Sequence, residues 1–435
     1  MDTTLLRLLD GARVPMDQIE SDYPYQTGCV RELIGLVPDC DAYLEIWPAA
    51  FRSYNLIVPN CFNVPFSPIG WGPGGALAQE LQGAAMFAVS KAAECPYCTA
   101  HTCSWALRRG TSPETLEAGW RAQGGAVGEA ERATFAVAKS MGRVPPRLTA
   151  EERGALIAAV GEPTAEVLMF SMCGMGYLNK VMDSLGVQLE QACFDDVRDY
   201  VGGDMDVAAS RVGANLDTTA PTTRPPTDSW FSNLRFLLKV PGALWAERRI
   251  VAGVPGTWPE VGEHLSAKTG HSFPFLAALP DSFHGRRVVT AVAVVLSDNY
   301  NLEASSASVP TKVLAGVLFA VVARNDALEE QFERLAVAFS VGRNAMRAAR
   351  ELASLEPAGL GGDVSKLPKA LRSLDRPSQH LLLLAHALAT TPVHVTPELV
   401  GALRRTHVPP QSIVELVNHM AITQLQLRII TLWPL

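Results

Sequence analysis

The stretch that decides both the fold and the chemistry is Ala92-Ala-Glu-Cys-Pro-Tyr-Cys-Thr-Ala-His-Thr-Cys-Ser-Trp105, in which Cys95, Cys98 and His101 follow one another at intervals of three. Apolar residues with helical spacing precede this stretch, and further helical spacing follows it. Pro96 is suited to the first turn of a helix, so the pattern predicts that a helix starts at the cysteine pair. We therefore expect two thiols and an imidazole on the first turns of one helix.

This placement indicates redox chemistry. The start of a helix carries partial positive charge and unpaired N–H groups, both of which stabilise a thiolate. Together with a nearby histidine, such a site can lower a cysteine pKa from ~8.5 to ~3.5–7.5. The spacing lets the sulfurs of Cys95 and Cys98 meet in a disulfide, and His101 lies one turn after Cys98, where it can carry a proton.

The cysteine pair also allows two other interpretations, a zinc site and a pair of inert buried thiols. Cys95, Cys98, His101 and Cys103 could supply four ligands, but residues 98 and 103 point to different sides of one helix and the chain has no second CxxC. Cys103 is left open as a third thiol near the site. The other cysteines are interpreted as small core residues: Cys29, Cys40, Cys61, Cys173 and Cys193.

Composition limits the class of protein. A length of 435 residues suggests two or three domains, and a net charge of −7 without a long Lys/Arg run argues against a nucleic-acid binder. The N-terminus does not resemble a signal peptide. The most apolar stretches, Val288–Leu296 and Val313–Ala323, are shorter than the about 20 residues that span a bilayer. We therefore expect a cytoplasmic protein with no membrane partner.

Helical spacing dominates the whole chain and predicts an all-α fold. Thr149 with Glu152, and Thr396 with Pro397, are typical of helix starts. The Thr/Pro-rich stretch 217–228 (DTTAPTTRPPTD) is a predicted linker between domains 1–216 and 229–435. The clearest predicted helices are Gly75–Ala93, Glu129–Met141, Thr164–Leu185, Gln379–Ala389 and Gln411–Leu432.

Short motifs recur in the same order in both halves, which predicts a tandem duplication. For example, Tyr54-Asn-Leu56 returns as Tyr300-Asn-Leu302, and Phe87-Ala-Val89 returns as Phe319-Ala-Val321. The residue numbers of the second pair of motifs differ by an offset of 232. That offset puts Ala327, Glu330 and Glu333 opposite the two cysteines and the histidine. The second half is therefore predicted to be a degenerate repeat without redox chemistry.

The segment from Glu94 to His101 resembles the active-site motif of the alkylhydroperoxidase D-like / carboxymuconolactone decarboxylase superfamily. The stretch Tyr177-Leu-Asn-Lys-Val-Met-Asp-Ser-Leu-Gly-Val187 is similar to a second motif of that family. The resemblance covers Gly75–Val187 well and the second half faintly. It implies two all-α repeats of this type packed as an internal pseudo-dimer, in a homo-oligomer such as a trimer of two-repeat chains.

The resemblance also implies roles for the site residues. Cys98 would attack an organic hydroperoxide and Cys95 would resolve the sulfenic acid. The enzyme would use no bound cofactor or metal, and a dithiol, lipoyl-type or thioredoxin-like donor would reduce it. The residues alone leave the order of the cysteines open, because thioredoxin-type sites use the first one as nucleophile. The cysteine pair argues against the decarboxylase branch of the superfamily.

The sequence departs from the family pattern at two positions. The family histidine stands where this chain has Thr102, one residue after His101, and the family proton-relay glutamate stands where this chain has Gly83. Glu80, one turn upstream, is the predicted substitute, with Glu94 as the other candidate. A redox sensor or scaffold remains an alternative function. So does a specialised biosynthetic enzyme whose pocket is shaped by the Pro/Gly-rich loop 58–75.

Overall fold

The computed structural model describes residues 4–121, 127–190, 193, 216–217 and 230–434. This part of the chain is almost entirely helical, which confirms the all-α class; most of the predicted linker, 218–228, lies outside it. The helices of the first half are α1 (Leu6–Leu9), α2 (Met16–Asp22), α3 (Pro24–Ile34), α4 (Cys40–Leu44), α5 (Pro48–Cys61), α6 (Gly75–Ala92), α7 (Pro96–Arg108), α8 (Pro113–Arg121), α9 (Glu129–Gly142), α10 (Ala150–Val160) and α11 (Glu162–Leu185).

The second half continues the helical pattern. Its helices are α12 (Trp230–Ile250), α13 (Glu260–Thr269), α14 (Phe283–Asn299), α15 (Val309–Val322), α16 (Asp326–Ala338), α17 (Arg343–Ala353), α18 (Pro357–Leu360), α19 (Arg376–Ala389), α20 (Pro397–Arg405) and α21 (Pro410–Leu432). The five segments with the clearest helical spacing correspond to α6, α9, α11, α19 and α21. These predictions are confirmed to within three residues at every end.

The predicted helix starts at two threonines are also confirmed. Thr149 caps α10 in a reciprocal capping box, in which its side chain accepts the N–H of Glu152 and the Glu152 carboxylate accepts the N–H of Thr149. Thr396 caps α20 by accepting the N–H of Leu399, and Pro397 occupies the first turn. Each cap satisfies backbone N–H groups that the helix itself leaves unpaired.

The most apolar stretches are buried inside helices. Val288–Leu296 falls within α14, and Val313–Ala323 forms most of α15. Across the described residues, no helix combines the length and the apolar composition that crossing a membrane requires. Both segments contribute to the protein core.

Helices α11 and α21, one from each half of the chain, pack along each other through the centre of the molecule. Polar contacts join the two halves at this contact. The Tyr177 hydroxyl donates to Asn418 Oδ1 over 2.8 Å, and Arg428 Nη1 donates to the Met172 carbonyl over 2.6 Å. Lys180 Nζ donates to the Leu388 carbonyl over 2.7 Å. The two halves therefore share one core.

A short parallel strand pair follows α11, and sequence analysis did not predict it. Strand β1 (Leu189–Glu190) pairs with β2 (Leu216–Asp217), with Glu190 in register with Asp217. The pair matters because it brings the buried Glu190 to the first turns of α7.

Candidate active site

The predicted helix start at the cysteine pair is confirmed. Cys95 is the N-cap of α7 with extended backbone (φ −96°, ψ 101°), and Pro96 follows in the first turn. Glu94 precedes it with a positive φ of 56°, which turns the chain out of α6. Cys95 and Cys98 are both buried, and all eight cysteines are free thiols.

An apolar cavity of about 160 Å³ lies against α7, and Cys98 is one of its lining residues whereas Cys95 is not. Helices α3, α5, α11 and α12 supply most of its other walls, and Met86 of α6 and the loop residues Pro38, Phe62, Val64 and Pro65 supply the rest, so both halves of the chain contribute. The residues that α7 contributes are Tyr97, Cys98, His101, Thr102 and Trp105. Those from α12 are Val240, Ala243, Leu244, Glu247 and Ile250. The thiol of Cys98 is therefore the one of the pair that a molecule in the cavity would meet.

The thiols of Cys95 and Cys98 lie within hydrogen-bonding reach of each other. Burial raises the pKa of Cys98 well above its usual value, and the hydrogen bond and charge of Cys95 raise it further. The prediction that the helix start lowers the thiol pKa is therefore wrong for Cys98. The reason is physical: removal from water disfavours the thiolate more than the helix start favours it.

His101 is held by a carboxylate that sequence analysis missed. Its Nε2 lies 2.6 Å from Glu190 Oε2, and its ring stacks on Tyr97 with 4.2 Å between the ring centroids. Glu190 Oε1 in turn accepts the Tyr97 hydroxyl (3.1 Å) and the Asp39 backbone N–H (3.2 Å). On the other side of the ring, Nδ1 lies 3.8 Å from Cys193 Sγ. Both ring nitrogens of His101 are thus engaged.

The charged forms of His101 and Glu190 stabilise each other. Burial would lower the pKa of His101, but the charges of Cys193 and Glu190 and their hydrogen bonds outweigh burial and raise that pKa well above its usual value. Burial would raise the pKa of Glu190, but the charge and hydrogen bond of His101 outweigh it and lower that pKa. At neutral pH the pair is therefore an imidazolium facing a carboxylate.

The structure does not bring Glu80, the predicted proton relay, into the cavity. Its side chain is exposed on α6, and its backbone carbonyl accepts the Thr111 hydroxyl over 2.6 Å. Glu94, the other candidate, is exposed as well. The carboxylate that contacts His101 therefore belongs to Glu190 and not to Glu80, the α6 glutamate predicted from the sequence.

Gly83, where the family pattern has its glutamate, lies at the crossing of α6 and α7. A Cβ atom added there would lie 2.5 Å from Ala106 Cα and 2.6 Å from Ala106 Cβ. No side chain fits at this close approach. The carboxylate beside His101 therefore has to come from another element.

We expect Gly83→Ala to destabilise the fold by about 1–3 kcal/mol, because the added methyl overpacks the crossing of α6 and α7. The matched control is Gly154→Ala in α10, where an added Cβ meets nothing within 4 Å. That change should stabilise the protein by about 0.4–1 kcal/mol. Urea unfolding of both variants measures the difference, and equal stabilities would contradict the close packing at Gly83.

The four candidate zinc ligands suggested by the sequence do not form a ligand cluster. Within the described part of the chain, the trio with potential ligand atoms within 4.8 Å of one another is His101, Glu190 and Cys193. Cys103 is fully buried and does not line the cavity. The sequence interpretation of Cys193 as a simple core residue missed its contact with the imidazole.

The start of α16 has the same local geometry as the start of α7. Asn325 caps α16 with extended backbone and follows a residue of positive φ, Arg324, just as Cys95 follows Glu94. Equivalent N–H groups also make equivalent bonds, from Cys95 to the Ser90 carbonyl and from Asn325 to the Ala320 carbonyl. If these two helix starts are aligned, the residue numbers differ by 230, and Leu328 and Gln331 stand opposite Cys98 and His101, where the sequence alignment with its offset of 232 had Glu330 and Glu333.

Comparison with known proteins gives little further information. No family model and no curated protein matches the chain. One solved structure, the apo crystal structure of the debrominase Bmp8, matches with 21% sequence identity and a TM-score of 0.35. The match covers 43% of this chain and 96% of that one. At this TM-score the likeness carries no argument about fold or function.

Proposed function

We propose that the protein is a thiol-dependent peroxidase of the alkylhydroperoxidase D-like class that reduces organic hydroperoxides. The observation that carries this proposal is the position of Cys98: its thiol lines an apolar cavity and has a second thiol, Cys95, within hydrogen-bonding reach. His101 lines the same cavity one turn along α7. A candidate nucleophile and a candidate proton carrier thus line one small apolar space, with a candidate resolving thiol within hydrogen-bonding reach of the nucleophile.

In the proposed reaction, the sulfur of the neutral Cys98 thiol attacks the distal oxygen of the hydroperoxide, the O–O bond breaks, and the thiol proton replaces the one that His101 gives up. The sulfur becomes a sulfenic acid and the alkoxide takes a proton from the His101 imidazolium, leaving as an alcohol. The Cys95 thiol then attacks the Cys98 sulfur, water leaves, and a disulfide forms. An external dithiol, of the lipoyl or thioredoxin-like kind, reduces the disulfide by exchange.

The surroundings of the two thiols support the order Cys98 first, Cys95 second. Cys98 lines the cavity, whereas Cys95 does not. Lys180 is within electrostatic reach of Cys95, and burial lowers the pKa of Lys180 to about 7. The Lys180 ammonium, which donates to the Leu388 and Thr390 carbonyls, would stabilise the negative charge that develops on the Cys95 sulfur as it attacks the sulfenic acid.

The cavity supports an apolar substrate of modest size. Aliphatic and aromatic side chains dominate its walls, with Gln26, Asn55 and Glu247 among the few polar ones. A hydroperoxide would place its hydrocarbon part against these walls and its peroxide group against the α7 side.

The two-repeat architecture belongs to the same proposal. The equivalent starts of α7 and α16, and the threonine caps of α10 and α20, support a duplicated helical unit whose second copy lost the thiols. Because α12 walls the cavity and Arg428 of α21 lies within electrostatic reach of Cys98, the second unit contributes to the site as well as to the core.

The test is consumption of cumene hydroperoxide with dihydrolipoamide or reduced thioredoxin as the electron donor. We expect many turnovers per chain, and Cys61→Ala, which alters a buried thiol outside the cavity, should keep them. A single oxidation without turnover would instead favour a redox sensor. No reaction of either thiol with excess peroxide would remove the redox proposal.

We expect His101→Ala to lower turnover by about 10²–10⁴-fold, because the alkoxide and the Cys98 thiol lose their nearest proton carrier. Steady-state rates between pH 6 and pH 9, measured beside Glu190→Gln, will separate two roles. Loss of the proton carrier changes the pH profile, whereas loss of the positioning carboxylate should lower the rate less. Unchanged turnover in His101→Ala would show that another group moves the proton.

A further inference from the structure

Cys193 occupies a position that its interpretation as a core residue does not explain. Its Sγ lies 3.8 Å from Nδ1 of His101, whose other nitrogen lies 2.6 Å from Glu190 Oε2. The three groups therefore form a series of thiol, imidazole and carboxylate. Cys193 and Glu190 are 1% and 6% exposed, so both side chains are buried beside the imidazole.

This series has the order of an activated nucleophile, its base and the group that orients the base. The carboxylate accepts the Nε2 proton, which fixes the ring so that Nδ1 faces the Cys193 sulfur. Tyr97 and the Asp39 N–H hold the carboxylate in turn. The thiol partner of Cys98, in contrast, is Cys95. The geometry places His101 to activate Cys193 more directly than Cys98.

We propose that Cys193 is a third reactive thiol of this protein, activated by the contact of its sulfur with His101, which Glu190 orients, and oxidised by small hydroperoxides. The Cys193 thiolate would attack the distal peroxide oxygen and become a sulfenic acid as the O–O bond breaks. The leaving alkoxide or hydroxide would take the proton from Nδ1 of His101. The inference goes beyond the proposed function, because the contact between Cys193 and His101 does not depend on whether Cys98 turns over peroxide.

Other ionisable groups around the trio leave this charge pattern in place. Tyr97 faces Glu190 and Cys193 from α7, and burial together with the charge of Glu190 raises its pKa well above the usual value. Cys40 and Asp41 approach Glu190 from α4. Burial raises the pKa of Cys40 well above the usual value and that of Asp41 to about 8. Cys40, Asp41 and Tyr97 are therefore mainly neutral at pH 7, and Cys98, one turn away on α7, is neutral too.

The first test counts thiolates directly by absorbance at 240 nm between pH 5 and pH 8, which requires no reagent to reach the buried sulfur. We expect wild type to show about one thiolate per chain at pH 7, Cys193→Ser to lose it, and Cys98→Ser to keep it. Glu190→Gln should lose most of it, because the imidazolium loses its carboxylate. Glu45→Gln, which removes a half-buried carboxylate bonded to Tyr23, is the matched control and should keep it. A signal that survives in Cys193→Ser overturns the proposal.

The second test asks whether this thiolate reacts. In the double variant Cys95→Ser/Cys98→Ser, hydrogen peroxide followed by dimedone should label the Cys193 peptide, and adding Cys193→Ser should abolish the label. Absence of label in the double variant overturns the redox role. One zinc ion per purified chain, lost in Cys193→Ser, would assign the trio as metal ligands and also overturn it. Failure of the proposed peroxidase would appear separately, as absent turnover with the thiolate signal intact.

Discussion

Cys98→Ser is expected to lower hydroperoxide turnover at least ~10³-fold, since removing a nucleophile eliminates the covalent step and leaves only what the rest of the site contributes. Serine keeps the shape of the side chain but is a far weaker nucleophile at neutral pH. Because Cys98 lines the cavity and Cys95 does not, Cys95 cannot replace Cys98 as the thiol that attacks a bound substrate. Steady-state consumption of cumene hydroperoxide with a dithiol donor measures the loss.

Cys95→Ser provides the matched comparison for that experiment. It should still form a sulfenic acid on Cys98 that dimedone traps, but it should not close a disulfide. In wild type, one equivalent of hydroperoxide should remove two hydrogens from the peptide that contains both cysteines, as seen by mass spectrometry. If Cys98→Ser forms the trappable species and Cys95→Ser does not, the order is the thioredoxin-like one and the assignment taken from the family resemblance is wrong.

The parts of the site that sequence analysis predicted are those that local signals determine. Pro96 after Cys95 marks a helix start, and the three-residue spacing places Cys98 and His101 on successive turns of that helix. These features depend on neighbouring residues alone. The same holds for the threonine caps of α10 and α20, which were predicted to the residue.

The missed parts depend on packing between distant segments. Glu190 and Cys193 reach His101 from about 90 residues further along the chain, and no local pattern indicates that β1 returns to α7. The direction of the Cys98 pKa shift also depends on tertiary structure, because it follows from burial and not from the helix start. Glu80 was chosen for its distance along the sequence from Cys95, but its side chain faces solvent.

The relation between the two halves was predicted in part. The Thr/Pro-rich stretch suggested a division into two units, whereas the structure gives them one shared core along α11 and α21. A cavity walled by helices of both halves could not be foreseen, because helical spacing identifies an apolar face without identifying its partner.

Because the two halves share one core, residues 1–216 expressed alone should be insoluble or should aggregate. Removing the second half uncovers the face of α11 that packs on α21, including fully buried residues such as Phe170, Met172 and Tyr177. It also removes the α12 wall of the cavity. A large exposed apolar surface promotes association between copies of the fragment. Size-exclusion chromatography with light scattering measures the outcome.

Co-expression of residues 217–435 with the fragment is the control, because the two pieces together can rebuild the contact between α11 and α21. We expect a soluble one-to-one complex that regains peroxide turnover, since α12 and Arg428 are then restored to the neighbourhood of Cys98. A fragment 1–216 that is soluble, monomeric and fully active by itself would contradict the shared core. The second half would then need a task of its own, independent of the thiol site.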